Sequence, residues 1–273
     1  MDGLHILYRT FPGRLLLKIL ATPALSKLCG LFLDSPPSVF LIKPFICKNK
    51  IKLDDYQTDG IHTFNEFFRR KIKEGKRQFD MSPSVLCAPC DGLLSAWHID
   101  TTGGTVIPVK QSLYTVASLL QDKALADLYK GGICLVFRLC VDNYHRFCYA
   151  DGGKKGRNVF IPGQLHTVRP VALESLPVFT TNSREYTVIE SPTFGKIIQM
   201  EVGAMLVGRI VNLEGEGLAV RGKEKGYFEY GGSTVILLVG ADRLSLRPDI
   251  EENSRQGIET SIRMGERVGS LQH

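Results

Sequence analysis

The chain has 273 residues, 44% of them apolar and 23% charged, with a formal net charge of +6. That length can bury a real core, as one large domain or two small ones, and the balance excludes a disordered or collagen-like chain. The positive charge comes without the basic-aromatic interleaving of a nucleic-acid surface, so no nucleic-acid partner is expected.

The excess charge sits at the front. Residues 1–50 hold seven basic side chains against Asp2 and Asp34, a net of +5. Between the charges the segment is apolar, as in "GRLLLKILATPALSKLCGLFL". Lys18, Pro23 and Lys27 interrupt every window of about 18 apolar residues, so no spanning helix is expected. The segment also lacks the basic start and small-residue cleavage site of a signal peptide. Two readings stay open. Such a segment can lie in a membrane interface and attract anionic lipid, or its helices can pack on their own domain with solvated lysines. Residues 4–48 read as helices broken at Pro12, Pro23 and Pro36-Pro37.

"TFNEFFRRKIK" predicts a helix over 63–73, with Thr63 as cap and Glu66 completing a capping box. "CAPC" at 87–90 is a lone CxxC. With seven scattered cysteines and no secretory signal, buried thiols in a reduced intracellular setting are expected, rather than disulfides or zinc. "YTVASLLQDKALADLY" predicts a second helix over 114–129, from the spacing of Val116, Leu119, Leu120 and Leu125.

After Gly132 the texture changes. "ICLVFRLCV", "YTVIES", "GKIIQMEVG", "LAVRG" and "YFEYGGSTVILLV" read as short strands between turn residues. The fold class expected is α+β: a β-rich, barrel- or sandwich-like body behind a helical N-terminal segment that faces a membrane. The boundary falls near residue 60, giving segments 1–60 and 61–273. The tail after Gly240 is polar, and "IETSIRMGERVGSL" has room for one short element.

One stretch breaks the pattern. "YFEYGGSTVILL" places two glycines, a serine and a threonine inside a strand, where glycine marks a bulge or a close backbone approach. Ser233 can attack the carbonyl of Gly232 in a strained turn and convert that amide to an ester, if a base takes its proton and donors hold the oxyanion. On these four residues alone a β-bulge is the better reading.

The flanks decide. The run from Glu216 to Leu238, "APCDGLLS", "VDNYHRFCYADGG", "GQLHTVRPVALE", "NSREYTVIES" and "VGAMLVGRIV" closely resemble, in order, segments of the phosphatidylserine decarboxylases, pyruvoyl-dependent enzymes of the short bacterial type. The resemblance covers roughly residues 50–240 and implies a precursor that cleaves itself between Gly232 and Ser233. β-Elimination of the ester leaves dehydroalanine, which hydrolyses with loss of ammonia to a pyruvoyl group at position 233. The products are a large chain, 1–232, and a small one, 233–273. The pyruvoyl carbonyl condenses with the substrate amine and acts as electron sink for loss of CO₂, converting phosphatidylserine to phosphatidylethanolamine; no metal is needed. An anionic phospholipid surface on the cytoplasmic face of the cell membrane is the partner implied, and a homodimer is among the possible assemblies. The competing readings are a non-catalytic binding module on the same scaffold and a pyruvoyl decarboxylase of a soluble amino acid.

The resemblance also implies an Asp–His–Ser set for cleavage. Asp91 matches the aspartate and Ser233 the serine. Many members read Tyr-His-Arg-x-His and use the second histidine, where this chain has Cys148. His145 matches the first, and with Arg146 it is a candidate for the substrate carboxylate or phosphate, or for protonating the carbanion. A thiol near its ordinary pKa is a poor base. His166, in "GQLHTV", is therefore preferred as the base, aimed at Asp91 and Ser233, with His145 and Cys148 as alternatives.

Overall fold

The apolar runs after Gly132 form the centre of a large antiparallel sheet in the computed structural model, which describes residues 3–102, 105–109, 112–174, 176–204, 209–229 and 233–272. Eight strands lie in the order Gly217–Ala219, Gly153–Lys155, Arg184–Ser191, Gly195–Val202, Ser233–Val239, Ile133–Leu139, Gly92–His98, Thr260–Ile262, and a ninth, Val159–Ile161, also pairs with Arg184–Ser191. The Ser233 strand is buried at every residue, which is why it reads as an unbroken apolar run rather than an alternating one. Two three-stranded sheets accompany it. One joins Ile210–Asn212, Glu224–Phe228 and Arg146–Cys148; the other joins Val85–Cys87, Arg267–Leu271 and Leu244–Leu246.

The protein is α+β, as expected, but the barrel is not formed. The path of the main sheet ends in two different strands, Gly217–Ala219 and Thr260–Ile262, which do not pair with each other. Each is only three residues long, a common way to keep an open edge from pairing further.

The front of the chain is helical: α1 Gly3–Arg9, α2 Phe11–Leu20, α3 Pro23–Leu33, a 3-10 turn Pro36–Leu41 and α4 Ile42–Asn49. The prolines begin these helices rather than break them. Thr10 and Thr22 cap α2 and α3 by accepting from Gly13 and Leu25 backbone N–H groups, and a proline fills the first turn of each. Among the described residues no single helix is long and apolar enough to cross a membrane; α2 and α3 together satisfy length and composition but are bent by 62°. Tyr8 and Leu17 pack into the main core, and Ala21 accepts a 2.9 Å hydrogen bond from Leu165 N–H.

The helix expected over 63–73 is shorter. Helix α5 spans Phe64–Phe68 with its capping box intact, and the chain then extends, so that Ile72 bridges to Tyr56. The helix expected over 114–129 is two helices, α6 Val116–Leu120 and α7 Lys123–Asp127. Gln121 takes a left-handed φ of 52° and Asp122 caps the second. The tail also holds more than one element: a helix Pro248–Arg255 and strands Thr260–Ile262 and Arg267–Leu271.

Candidate active site

Ser233 opens the central strand opposite Leu139, and Thr234 lies between Val202 and Arg138. Ser233 is 0% exposed, and among the described residues its Oγ has no hydrogen-bond partner; Thr234 Oγ1 is likewise alone. Gly231 and Gly232, expected on the other side of the cleaved bond, lie outside the described residues. A buried hydroxyl without a partner costs about 1–3 kcal/mol, so two in succession point to a use for them. An unbonded, fully buried serine hydroxyl at the head of the central strand is a candidate nucleophile.

Asp91 lies at the same end of the sheet, just before the Gly92–His98 strand. Gly92 is needed there because a Cβ would come within 2.8 Å of the Arg138 carbonyl. The Asp91 carboxylate is buried and fully engaged. Arg77 donates from Nε to Oδ1 at 2.9 Å and from Nη2 to Oδ2 at 2.6 Å, and Met264 N–H donates to Oδ1 at 2.8 Å. Bidentate pairing of this kind is the strong form of an ion pair. It raises the pKa of Arg77 further above its ordinary value. Arg77 carries no signal in the sequence, since an ion pair between distant segments has no period or spacing.

His166 approaches Ser233's end of the sheet from the other side. Asn182 Nδ2 donates to both the His166 and the Gly203 carbonyls, at 2.8 and 2.7 Å, and Gly203 follows the Val202 that pairs with Thr234. Gln164 Oε1 lies 2.7 Å from Nε2, and the Tyr8 hydroxyl lies 3.4 Å from Nδ1. If Gln164 accepts from Nε2–H, Nδ1 keeps the lone pair, and Tyr8 donates to it. Burial raises the Tyr8 pKa to about 12, so the phenol stays a donor, and it lowers the His166 pKa, keeping the ring neutral. The expected pairing of Asp91 with His166 is not formed. Arg77 and the Met264 N–H already fill the carboxylate, and among the described residues no hydrogen bond joins it to His166. Gln164 and Tyr8 hold the His166 ring instead, neither of which sequence reading singled out.

His145 is 0% exposed and lies against the Phe68 ring at 4.0 Å between centroids. Its Nδ1–H donates to the Asn143 carbonyl at 3.0 Å, leaving Nε2 as an acceptor with no partner among the described residues. Burial, with the nearby Arg70 charge, lowers its pKa to about 3. Such a ring accepts a proton poorly, and in this state it has none to give from Nε2. Arg146 donates from Nε to the Arg69 carbonyl at 2.7 Å and from Nη1 to Glu224 at 2.5 Å, with Tyr227 beneath it. Cys148 donates its thiol to the Pro89 carbonyl at 3.2 Å, and burial raises its pKa well above the ordinary thiol range.

A buried ion pair completes the site. Glu201 stands opposite Val235, so strand alternation places it on the same sheet face as Ser233, one diagonal step away. Lys225 Nζ donates to Glu201 Oε2 at 2.6 Å and to Asn212 Oδ1 at 2.5 Å. Both charged side chains are 0% exposed. Neither stands out in the sequence, because "QMEVG" and "EKGYF" read as ordinary half-exposed strands.

Fold and site together define an α+β protein with a buried, unbonded serine at the start of its central strand, the arrangement a self-processing enzyme needs. Residues 64–270 match the profile of the phosphatidylserine decarboxylase family. The chain is 43% identical to phosphatidylserine decarboxylase proenzyme 2 of Clostridium acetobutylicum, over 97% of this chain and 91% of that protein. It is 39% identical to the phosphatidylserine decarboxylase proenzyme of Ruminiclostridium cellulolyticum, over 98% and 90% of the two, and 38% identical to that of Clostridium kluyveri, over 94% and 88%. The chain belongs to the phosphatidylserine decarboxylase family.

Proposed function

We infer that this chain decarboxylates phosphatidylserine to phosphatidylethanolamine, using a pyruvoyl group made from Ser233 when the precursor cleaves itself after Gly232. The observation that carries the reading is the fully buried Ser233 hydroxyl, without a partner among the described residues, at the start of the central strand, inside the stretch that matches the family. The pyruvoyl group supplies a carbonyl that takes up the substrate amine and draws off electrons as CO₂ leaves.

This chain's own residues do the rest. His166, neutral and held by Gln164 and Tyr8, takes the Ser233 proton once its Nδ1 is released from Tyr8. Asp91, locked by Arg77, fixes the turn into the Gly92 strand that flanks Ser233's end of the sheet. His145 Nε2, unprotonated and fully buried, remains a candidate acceptor inside the body, next in the chain to Arg146, which Glu224 holds.

Attachment to an anionic membrane surface is part of the same reading. Phe11, Leu15, Ile19, Leu28, Leu31 and Phe40 on the N-terminal segment are 60–86% exposed, next to that segment's basic residues. Seven free cysteines suit the cytoplasmic face.

Intact mass spectrometry of the purified protein tests the reading. Two chains, 1–232 and 233–273, are expected, the small one with a blocked, carbonyl-reactive N-terminus. Ser233→Ala should stay full length and inactive. A single uncleaved wild-type chain with full decarboxylase activity would sink the pyruvoyl reading.

A further inference from the structure

A cavity of about 780 Å³ lies between the N-terminal helices and the body, bounded by Tyr8, Arg9, Arg14, Lys18, Gln164 and His166 among others. Its charge is uneven. Among the described residues Glu174 is the one acid in its lining, and Arg9 already binds it at 3.0 Å. Arg14 and Lys18 are exposed, and among the described residues no hydrogen bond or ion pair holds the end of either side chain.

Helix α2 arranges these residues by its period. Gly13 and Leu17 are its buried stripe. At 100° per residue, Arg14 and Lys18 form the adjoining stripe, four residues apart on one side. Phe11, Leu15 and Ile19 follow beyond them, and are 86%, 62% and 60% exposed. The basic stripe thus separates a cavity mouth from an uncovered apolar face. A phospholipid has the same order of parts: a polar head, an anionic phosphodiester and apolar tails.

We propose that Arg14 and Lys18 bind the phosphodiester of the lipid substrate, with its tails along Phe11, Leu15 and Ile19 and its head group entering the cavity beside Gln164 and His166. This rests on the reading that the enzyme acts on a phospholipid. It assigns the phosphate to α2 rather than to Arg146, whose guanidinium is taken up by Glu224 and the Arg69 carbonyl.

The test uses the full chain in mixed detergent micelles at fixed ionic strength, with the surface fraction of phosphatidylserine varied. The double variant Arg14→Gln, Lys18→Gln should cleave itself as the wild type does. Its KM in surface units should rise about tenfold or more, the loss expected for charge-assisted contacts, with kcat nearly unchanged. Lys123→Gln, Lys196→Gln is the control. It removes the same charge from exposed positions outside the N-terminal segment and away from the cavity, and should leave KM near the wild-type value. Glycerophosphoserine, the head group without tails, should compete in the wild type and lose that ability in the Arg14, Lys18 variant. Inorganic phosphate at equal concentration should compete far less.

An unchanged KM in the Arg14, Lys18 variant would overturn the inference, as would an equal rise in the control. Stronger competition by inorganic phosphate than by glycerophosphoserine would mark a site for the free ion and overturn it too. If the processed wild type leaves phosphatidylserine untouched, the functional reading itself fails and takes this inference with it; an active wild type with an indifferent double variant fails the inference alone.

Discussion

At the scale of single residues, the two buried histidines differ by their surroundings. His166 is neutral because it is buried, and its candidate role is to take a proton from Ser233. His166→Ala should accumulate unprocessed chain, since losing a general base typically costs about 10²–10⁴-fold. Cys148→Ala should process far better, because a buried thiol bonded to the Pro89 carbonyl is protonated and accepts nothing. A time course of cleavage on a denaturing gel compares the two, and normal cleavage in His166→Ala with a block in Cys148→Ala would reverse the assignment. His145 makes a different prediction. Folded, its pKa is lowered to about 3 from an ordinary value of 6.5, so between these values the unfolded chain binds more protons than the folded one. Stability should therefore fall as pH drops below about 6.5 and continue to fall toward about 3, by up to several kcal/mol in all. Urea unfolding at pH 7, 6 and 5 measures this slope. A His145→Gln variant should show a flatter one, and an equal slope in both would place the titration elsewhere.

At the scale of elements, short pieces set the site by how they end. Helix α5 has only five residues, and its capping box joins Thr63 and Glu66 in both directions. Its Phe68 supports the His145 ring. Removing the cap with Thr63→Ala should cost about 1 kcal/mol, read as a lower melting temperature of the full chain. An unchanged melting temperature would mean that packing of Phe64 and Phe67 alone fixes this turn. The strand ends matter in the same way. Gly92, Leu139, Ser233 and Val202 finish or begin neighbouring strands, so the pairing register alone brings Asp91, Ser233 and the Gly203 carbonyl to one edge.

At the scale of the whole molecule, charge and exposed apolar area coincide on the N-terminal helices. Each basic residue near an anionic surface contributes about 1 kcal/mol at low salt, and the Debye length shortens from about 10 Å at 0.1 M salt to about 3 Å at 1 M. Sedimentation with phosphatidylglycerol vesicles should weaken as salt rises, and sedimentation with neutral vesicles should stay low throughout. Equal sedimentation with both at every salt would remove the electrostatic part of the attachment. The same helices reach the site, since Tyr8 from α1 accepts from Thr167 N–H at 3.1 Å and touches His166. The segment proposed to dock and the histidine proposed as base thus share a structural element.

The sequence by itself determined what depends on neighbours along the chain. The Thr63 capping box, the apolar run after Ser233, the serine at its head and the basic, leucine-rich front are local patterns. Local propensity and period act over a few residues, so they can be read there. Pattern also carried the family, through segments quoted in order from Ala88 to Leu238. Only the tertiary structure decided who meets whom. Arg77 takes the Asp91 carboxylate that was expected to hold a histidine; Gln164 and Tyr8 hold His166; Glu224 takes Arg146; Lys225 neutralises Glu201 behind Ser233. Each of these contacts joins strands or loops far apart in the chain. A charge or hydroxyl finds such a partner because burial makes an unpaired polar group costly, and no spacing along the sequence records which partner the fold brings within reach.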